Sequence, residues 1–256
     1  MDDRPVLSSI RKAKAEGRRA HWVLLDPDDF TAERAAEVAR ASQESGVGAL
    51  LVGGSLLQAN RIDDFVKSLR EAVSIPVILF PGDATQLSKH ASALLYLSLI
   101  SGRNPVNLIG EQVKAAPIIR QYGLEPISTG YMLVESGAVT SVEFMSGTRP
   151  LPRTKPNIAA AHALAAMYLG MDMIYLEAGS GAALTVPAEM IEAVRKCVDI
   201  PIIVGGGIRD EETALEKLRA GADIIVTGNL LRKEDGLERM RGIAGRVSGF
   251  RALERL

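Results

Sequence analysis

The chain has 256 residues, with 30 basic and 31 acidic side chains and a formal net charge of −1. That balance gives no electrostatic footprint for nucleic acid or another polyanion, and an aromatic content of 4% leaves little for base stacking. The length suffices for a sizeable core, in two small domains or one large α/β barrel. One cysteine, Cys197, excludes an internal disulfide and fits a reducing compartment. No activating base stands near it in sequence, so it is expected to be a small buried hydrophobe on a helix.

The N-terminal stretch MDDRPVLSSIRKAKAEGRRAHWVLLDPDD is charged and lacks an apolar signal core, and no apolar run approaches the length of a membrane span. A cytoplasmic protein is expected, with contact to a membrane surface left open. Eight short runs rich in Leu, Ile and Val then recur: 21–26, 48–54, 76–81, 93–99, 125–134, 173–178, 201–207 and 223–228. Most lack polar alternation, as strands buried on both faces do. Helical patterns separate them at 31–45, 61–73, 107–121, 157–169, 187–198, 210–220 and 231–241. Thr31 suits an N-cap, Pro187 a first helical turn, and Gly46, Gly170 and Gly221 helix ends. Strand and helix in eightfold alternation predict a single (β/α)8 barrel over 1–256, with an open doubly wound sheet as the alternative. The rhythm breaks twice. Residues 81–92 are too short and polar for a full outer helix, and 135–156 read as a β-hairpin followed by a Pro-rich loop. SIPVILFPGD and DIPIIVGGGI, and GALLVGGSLL and GADIIVTGNLL, are faint internal echoes compatible with repeated βα units.

In such a barrel chemistry gathers where strands finish. The seventh predicted strand ends in Gly205, Gly206 and Gly207, the eighth in Gly228 and Asn229, and the sixth runs into Gly179, Ser180 and Gly181. Glycine lets backbone approach a ligand closely, and successive amides and helix N-termini can converge on one anion. Three such loops on one face point to a phosphate site; each alone reads as a tight turn. Glu177 stands directly before the third loop, where a carboxylate is unwelcome beside a phosphate unless it has work to do. Asp26, ending the first strand, and Ser55, following the second, are hard oxygen donors of the kind Mg²⁺ takes; they equally suit a turn cap and a helix cap. None of the nine lysines lies at a strand end, which disfavours Schiff-base chemistry. His21, His90 and His162 have no metal-binding spacing and read as structural. Walker, Rossmann and G-x-S-x-G signatures are absent.

The motifs LLDPDD (24–29), VGGS (52–55), STGYML (128–133), YLEAGSGA (175–182), IIVGGGIR (202–209) and IIVTGN (224–229) together resemble the geranylgeranylglyceryl phosphate / heptaprenylglyceryl phosphate synthase family. They span most of the chain, and RPLPRTKPNIAAAHALAAMYLGM (149–171) is similar to the branch containing many archaeal members. The resemblance implies transfer of a prenyl group to sn-glycerol 1-phosphate on a barrel that lacks its third outer helix. It implies that Tyr175, Leu176, Glu177, Ala178, Gly179, Ser180, Gly181, Gly206, Gly207, Gly228 and Asn229 hold the glycerol phosphate. Asp26 and Ser55 would hold Mg²⁺ with the prenyl diphosphate, and the protein would form a dimer or hexamer. On this reading Glu177 accepts the proton of the C3 hydroxyl and steadies positive charge on the allylic carbon. The segment ALLYLSLISG (93–102) would wall the prenyl groove. One departure stands out. Members of the family often carry a lysine where this chain has Asp29, and Arg153 and Lys155 are the candidates to replace it. The rivals are a sugar-phosphate isomerase or lyase on the same barrel, and a non-catalytic prenyl or phosphate binder. The third, fourth and fifth strands offer no acid–base pair, and Asp26 and Glu177 are both present.

Overall fold

A computed structural model describes residues 4–58 and 61–251. The first three residues of the charged N-terminal stretch, and the last five of the chain, lie outside the described residues. Eight strands run parallel and close in sequence order, β1 (Ala20–Leu25), β2 (Ala49–Val52), β3 (Val77–Leu79), β4 (Ala93–Leu99), β5 (Glu125–Leu133), β6 (Met173–Glu177), β7 (Ile202–Gly205) and β8 (Ile224–Thr227). The ring shuts where β8 pairs with β1, from Ala20 opposite Ile224 to Val23 opposite Thr227. The open sheet is thereby excluded.

Alternation along each strand divides the apolar residues into two layers. Trp22, Leu51, Ile78, Leu95, Ile127, Met173, Tyr175, Ile203 and Val226 fill the barrel. Val23, Leu50, Leu79, Ile174, Leu176, Val204 and Ile225 face the outer helices. This is why the strand sequences show no polar alternation: both faces are dry. On β6 the same parity sends Met173, Tyr175 and Glu177 inward, and Leu176 outward.

The outer layer comprises α2 (Ala32–Glu44), α3 (Ile62–Ala72), α4 (Glu111–Tyr122), α6 (Pro156–Tyr168), α7 (Ala188–Cys197), α8 (Glu211–Arg219) and α9 (Gly236–Gly249), with α1 (Pro5–Ala15) and the short α5 (Ser141–Ser146) besides. Caps follow the sequence. Thr31 Oγ1 accepts from Arg34 N–H at 3.3 Å, and Asp210 Oδ1 from Thr213 N–H at 2.8 Å. No helix links β3 to β4. The loop there is braced by the buried Gln86, whose Nε2 donates to Gly54 O at 2.9 Å while its Oε1 accepts from Gly82 N–H at 3.1 Å.

Two expectations need correction, and one element was not foreseen. The segment 135–156 is not a hairpin. It holds α5 and a single parallel bridge from Val134 to Leu151, because Thr140 Oγ1 accepts from Glu143 N–H and starts a helix where a strand would have to pair. Cys197 is exposed rather than buried; it lies on the solvent side of α7, whose core face is Met190, Ile191 and Val194. The charged N-terminal stretch conceals α1, which covers the N-terminal end of the barrel. The buried Glu125 carboxylate accepts from Val6 N–H at 2.9 Å and Leu7 N–H at 2.8 Å, occupying two of the amides every helix start leaves open. Asp172 accepts from Arg4, and from Arg11 at 2.8 Å.

Candidate active site

Strand parity brings Glu177 to the C-terminal rim of the barrel, 6% exposed. Its Oε1 accepts from Gly179 N–H at 2.6 Å, so the first amide of the glycine loop holds the carboxylate. That amide is committed to Glu177, which leaves the rest of the loop for an anion. Burial raises the pKa of Glu177 to about 7, against the pull of the Gly179 amide. The group is therefore a carboxylate that still binds a proton near neutrality, as a general base at that pH should.

The glycines around it are required by space. Gly206 has φ +86°, and a Cβ there would lie 2.5 Å from Glu177 Oε1 and 2.7 Å from Gly179 N. A Cβ on Gly205 would meet the Tyr175 hydroxyl at 2.5 Å and Glu177 Oε2 at 2.9 Å. So β7 yields its side chains to make room for two oxygens from β6. Tyr175 is fully buried, and its hydroxyl sits beside Glu177 without a well-formed hydrogen bond among the described residues.

Other loops close the rim. Ser180 Oγ donates to Asn229 Oδ1 at 2.9 Å, tying the β6 loop to the β8 loop. Gly207 and Gly228 lie on the two neighbouring loops, with Gly207 at φ +74°. Arg209, on the far side of the β7 loop, donates to Ala182 O at 2.6 Å and fixes the β6 loop from outside. The structure thus brings Glu177, Gly179, Ser180, Gly181, Gly206 and Asn229 together. Leu176 and Ala178 belong to the outer core, so only their backbone can contribute.

At the end of β1, Asp26 Oδ1 accepts from Asp28 N–H at 3.0 Å. Burial raises its pKa, and the charges of Asp29 and Asp28 push the same way. A Cβ on Gly54 would fall 2.7 Å from Asp26 Oδ2, so the glycine before Ser55 leaves that oxygen open. Among the described residues no group of three His, Cys, Asp or Glu side chains is arranged to hold a metal. Asp26 stands with Asp28 and Asp29 at this strand end, and Gly54 of the next loop lies against its Oδ2. Asp29 is ion-paired with Arg232 from the β8 side. Arg153 and Lys155 are elsewhere: Arg153 donates to Glu135 O at 2.9 Å and to Thr185 O at 3.3 Å, and Lys155 precedes α6. Hence the cation beside Asp29 is Arg232. Its place in sequence, four residues beyond Gly228, gave no sign of this pairing across the barrel seam.

An apolar cavity of about 250 Å³ opens beside these groups, where the outer helix between β3 and β4 is missing. Leu94, Tyr96, Leu97 and Leu99 of β4, Ala115 of α4 and Leu87 of the linking loop line it. Gly54 and Ser55 lie at one end, and Phe80 and Tyr131 form a wall. Phe80 stacks on Tyr175 with ring centroids 5.3 Å apart, and Tyr131 meets Tyr175 edge-on at 5.4 Å. The aromatic trio therefore joins the cavity to Glu177. Phe80 and Tyr131 escaped sequence reasoning because each looks like ordinary strand core.

A family model described as the PcrB family matches residues 10–245. The geranylgeranylglyceryl phosphate synthase of Thermococcus kodakarensis is 47% identical over 229 residues, 89% of this chain and 90% of that protein. The wild-type GGGPS of Thermoplasma volcanium superposes with a TM-score of 0.91 at 32% identity, covering 97% of this chain and 99% of that one. The (S)-3-O-geranylgeranylglyceryl phosphate synthase of Thermoplasma acidophilum, solved with its substrate sn-glycerol-1-phosphate, gives 0.90 at 31% identity, covering 96% and 99%.

Proposed function

The chain belongs to the PcrB family and is a prenyltransferase, and on that premise we propose that it joins geranylgeranyl diphosphate to the C3 hydroxyl of sn-glycerol 1-phosphate. The observation that carries this reading is the position of Glu177. It is a buried carboxylate of raised pKa between a rim of glycine loops and the aromatic wall of an apolar cavity. Loop amides beyond Gly179, with Ser180 and Asn229, bind the phosphate of glycerol phosphate. The glycerol spans to Glu177, so the two negative charges are separated by the length of the ligand. The prenyl chain lies along Leu94, Tyr96 and Leu97, its C1 near Tyr131.

Glu177 then accepts the hydroxyl proton as the oxygen attacks C1. A C–O ether bond forms, the bond from C1 to the diphosphate oxygen breaks, and diphosphate departs. The allylic carbon carries positive charge as that bond lengthens, and the Glu177 carboxylate lies close enough to favour it. Mg²⁺, when bound by Asp26 and Ser55, would neutralise charge on the leaving diphosphate. Arg232 supplies a fixed cation on the same side. Among the described residues no helix is long and apolar enough to cross a membrane. Exposed Phe144, Tyr168 and Leu169 on α5 and at the end of α6 support a second copy of the chain as partner, which sedimentation at varied concentration tests.

The decisive experiment is Glu177→Gln, assayed with radiolabelled glycerol phosphate and geranylgeranyl diphosphate. Turnover is expected to fall by about 10²–10⁴-fold while calorimetry still shows glycerol phosphate binding. Near-normal turnover removes Glu177 as the base. For the wild type, kcat/KM should rise with pH and level off above about 7, as Glu177 loses its proton. Asp26→Asn should raise the Mg²⁺ concentration needed for half-maximal rate, and an unchanged titration would remove Asp26 as a ligand.

A further inference from the structure

The opposite end of the barrel holds a second cavity, of about 350 Å³, between α1 and the starts of β1, β2, β3 and β8. Its floor is apolar: Val6 and Ile10 from α1, Ala49 and Ile78 from the strands. Its remaining wall is cationic. Lys14, Arg18, Arg19 and Arg251 line it, against a single carboxylate, Asp223. That carboxylate is fully engaged. It accepts from Arg19 at 2.6 Å, from Arg195 at 2.9 Å and from Ile202 N–H at 2.9 Å. Arg18 is offset by Glu16 at 2.8 Å, outside the cavity.

Three donors are left over. Lys14 makes no hydrogen bond or ion pair among the described residues, and burial lowers its pKa, with Asp223 only partly opposing. Trp22, 2% exposed, also lines the cavity, and its indole N–H has no acceptor among the described residues. Nε1 stands 3.5 Å from where a Cβ of Gly48, another lining residue, would sit. Arg19 Nε, in the same wall, is buried without a hydrogen-bond partner among the described residues, which is uncommon. An ammonium held partly out of water with no carboxylate in contact is unfavourable. These deficits call for the same thing, an acceptor-rich anion. The floor of Val6, Ile10, Ala49 and Ile78 calls for something that inorganic ions lack, an apolar body.

We propose that this cavity is a binding site for a small amphiphilic oxyanion, a phosphate or carboxylate head on a short apolar group, with the head between Lys14 and Trp22. The site is separate from the Glu177 rim and lies across the length of the barrel from it. A ligand there would tie α1 to β1, β2 and β8, and would stabilise the folded chain in proportion to its occupancy.

Trp22 is the only tryptophan in the chain, so its emission reports on this end of the barrel. The test titrates hexyl phosphate and hexanoate into the full-length protein, with and without saturating sn-glycerol 1-phosphate. A saturable change in Trp22 emission is expected, the same in both conditions. Lys14→Met should weaken it by about tenfold or more, and Lys14→Arg should restore it. Ala13→Phe, which fills the cavity from α1, should abolish it, with circular dichroism confirming the fold. Hexanol, which has the body without the charge, should give no saturable response. The proposal is overturned if neither anion gives saturation, if hexanol matches them, or if Lys14→Met responds as the wild type does. Of the two heads, the one that binds more tightly identifies the source.

Discussion

Two buried carboxylates, one at each end of the barrel, show how the same side chain is either fully tied down or left with a free oxygen. Glu125 at the N-terminal end is 8% exposed and receives two backbone amides from the first turn of α1, one on each oxygen. Glu177 at the C-terminal end is 6% exposed and receives one, on Oε1. Burial is nearly equal, so it cannot be the distinction. The difference is in the second oxygen. In Glu125 both oxygens are committed, Oε2 to Val6 and Oε1 to Leu7; in Glu177, Oε2 borders the Tyr175 hydroxyl and the space left by Gly205. In this dry site burial outweighs the single amide, and the pKa of Glu177 rises.

The comparison can be broken from either side. Among changes that leave Glu177 in place, the largest effect is expected from Gly206→Ala, which drives a methyl into Glu177 Oε1 and strains a backbone of φ +86°. Turnover should fall about a hundredfold through misplacement of the base, with glycerol phosphate affinity changing less. Next is the stability of Glu177→Gln. A folded-state pKa of about 7 against an ordinary 4.5 means that the native state binds the proton more tightly than the unfolded one. Its stabilising share is fully present below pH 4.5 and is lost as pH rises through about 7. At pH 9 the wild type should therefore have lost about 3 kcal/mol that Glu177→Gln keeps, visible as a flatter denaturant midpoint against pH. Glu125→Gln should do the reverse. It sets an NH₂ against an amide of α1 and should cost about 2 kcal/mol at neutral pH, measured by urea unfolding. If Glu125→Gln is neutral and Glu177→Gln destabilises, the contrast between the two ends is wrong. The smallest effect is expected for Arg11→Ala, whose side chain is 55% exposed at its ion pair with Asp172; urea unfolding should show less than about 1 kcal/mol.

Much of this was open to reading from the chain itself. Strand parity follows from short apolar runs, and the rim glycines follow from where those runs stop. Glu177 could be singled out because a carboxylate before Ala178, Gly179 and Ser180 is locally unexpected. What escaped the reading depends on contacts between distant segments. Arg232 reaches Asp29 only because β8 closes on β1. Tyr131 becomes a cavity wall only because no helix covers the link from β3 to β4. The α1 helix was hidden by its charges. Its short apolar face, Val6 and Leu7, is too brief to declare itself without the barrel end it covers. Segment 135–156 departs from its strand-like composition for a local reason, because Thr140 caps a helix there.

The missing helix has one more consequence. Removing an outer element usually exposes a sheet edge, and an unpaired edge invites association with other chains. Here the ladder is uninterrupted under the gap, with Ile78 opposite Ala93 and Leu79 opposite Leu94. The wall is thinned without being cut. The protein thereby has a side window: a long greasy molecule can slide in laterally while every strand keeps both neighbours.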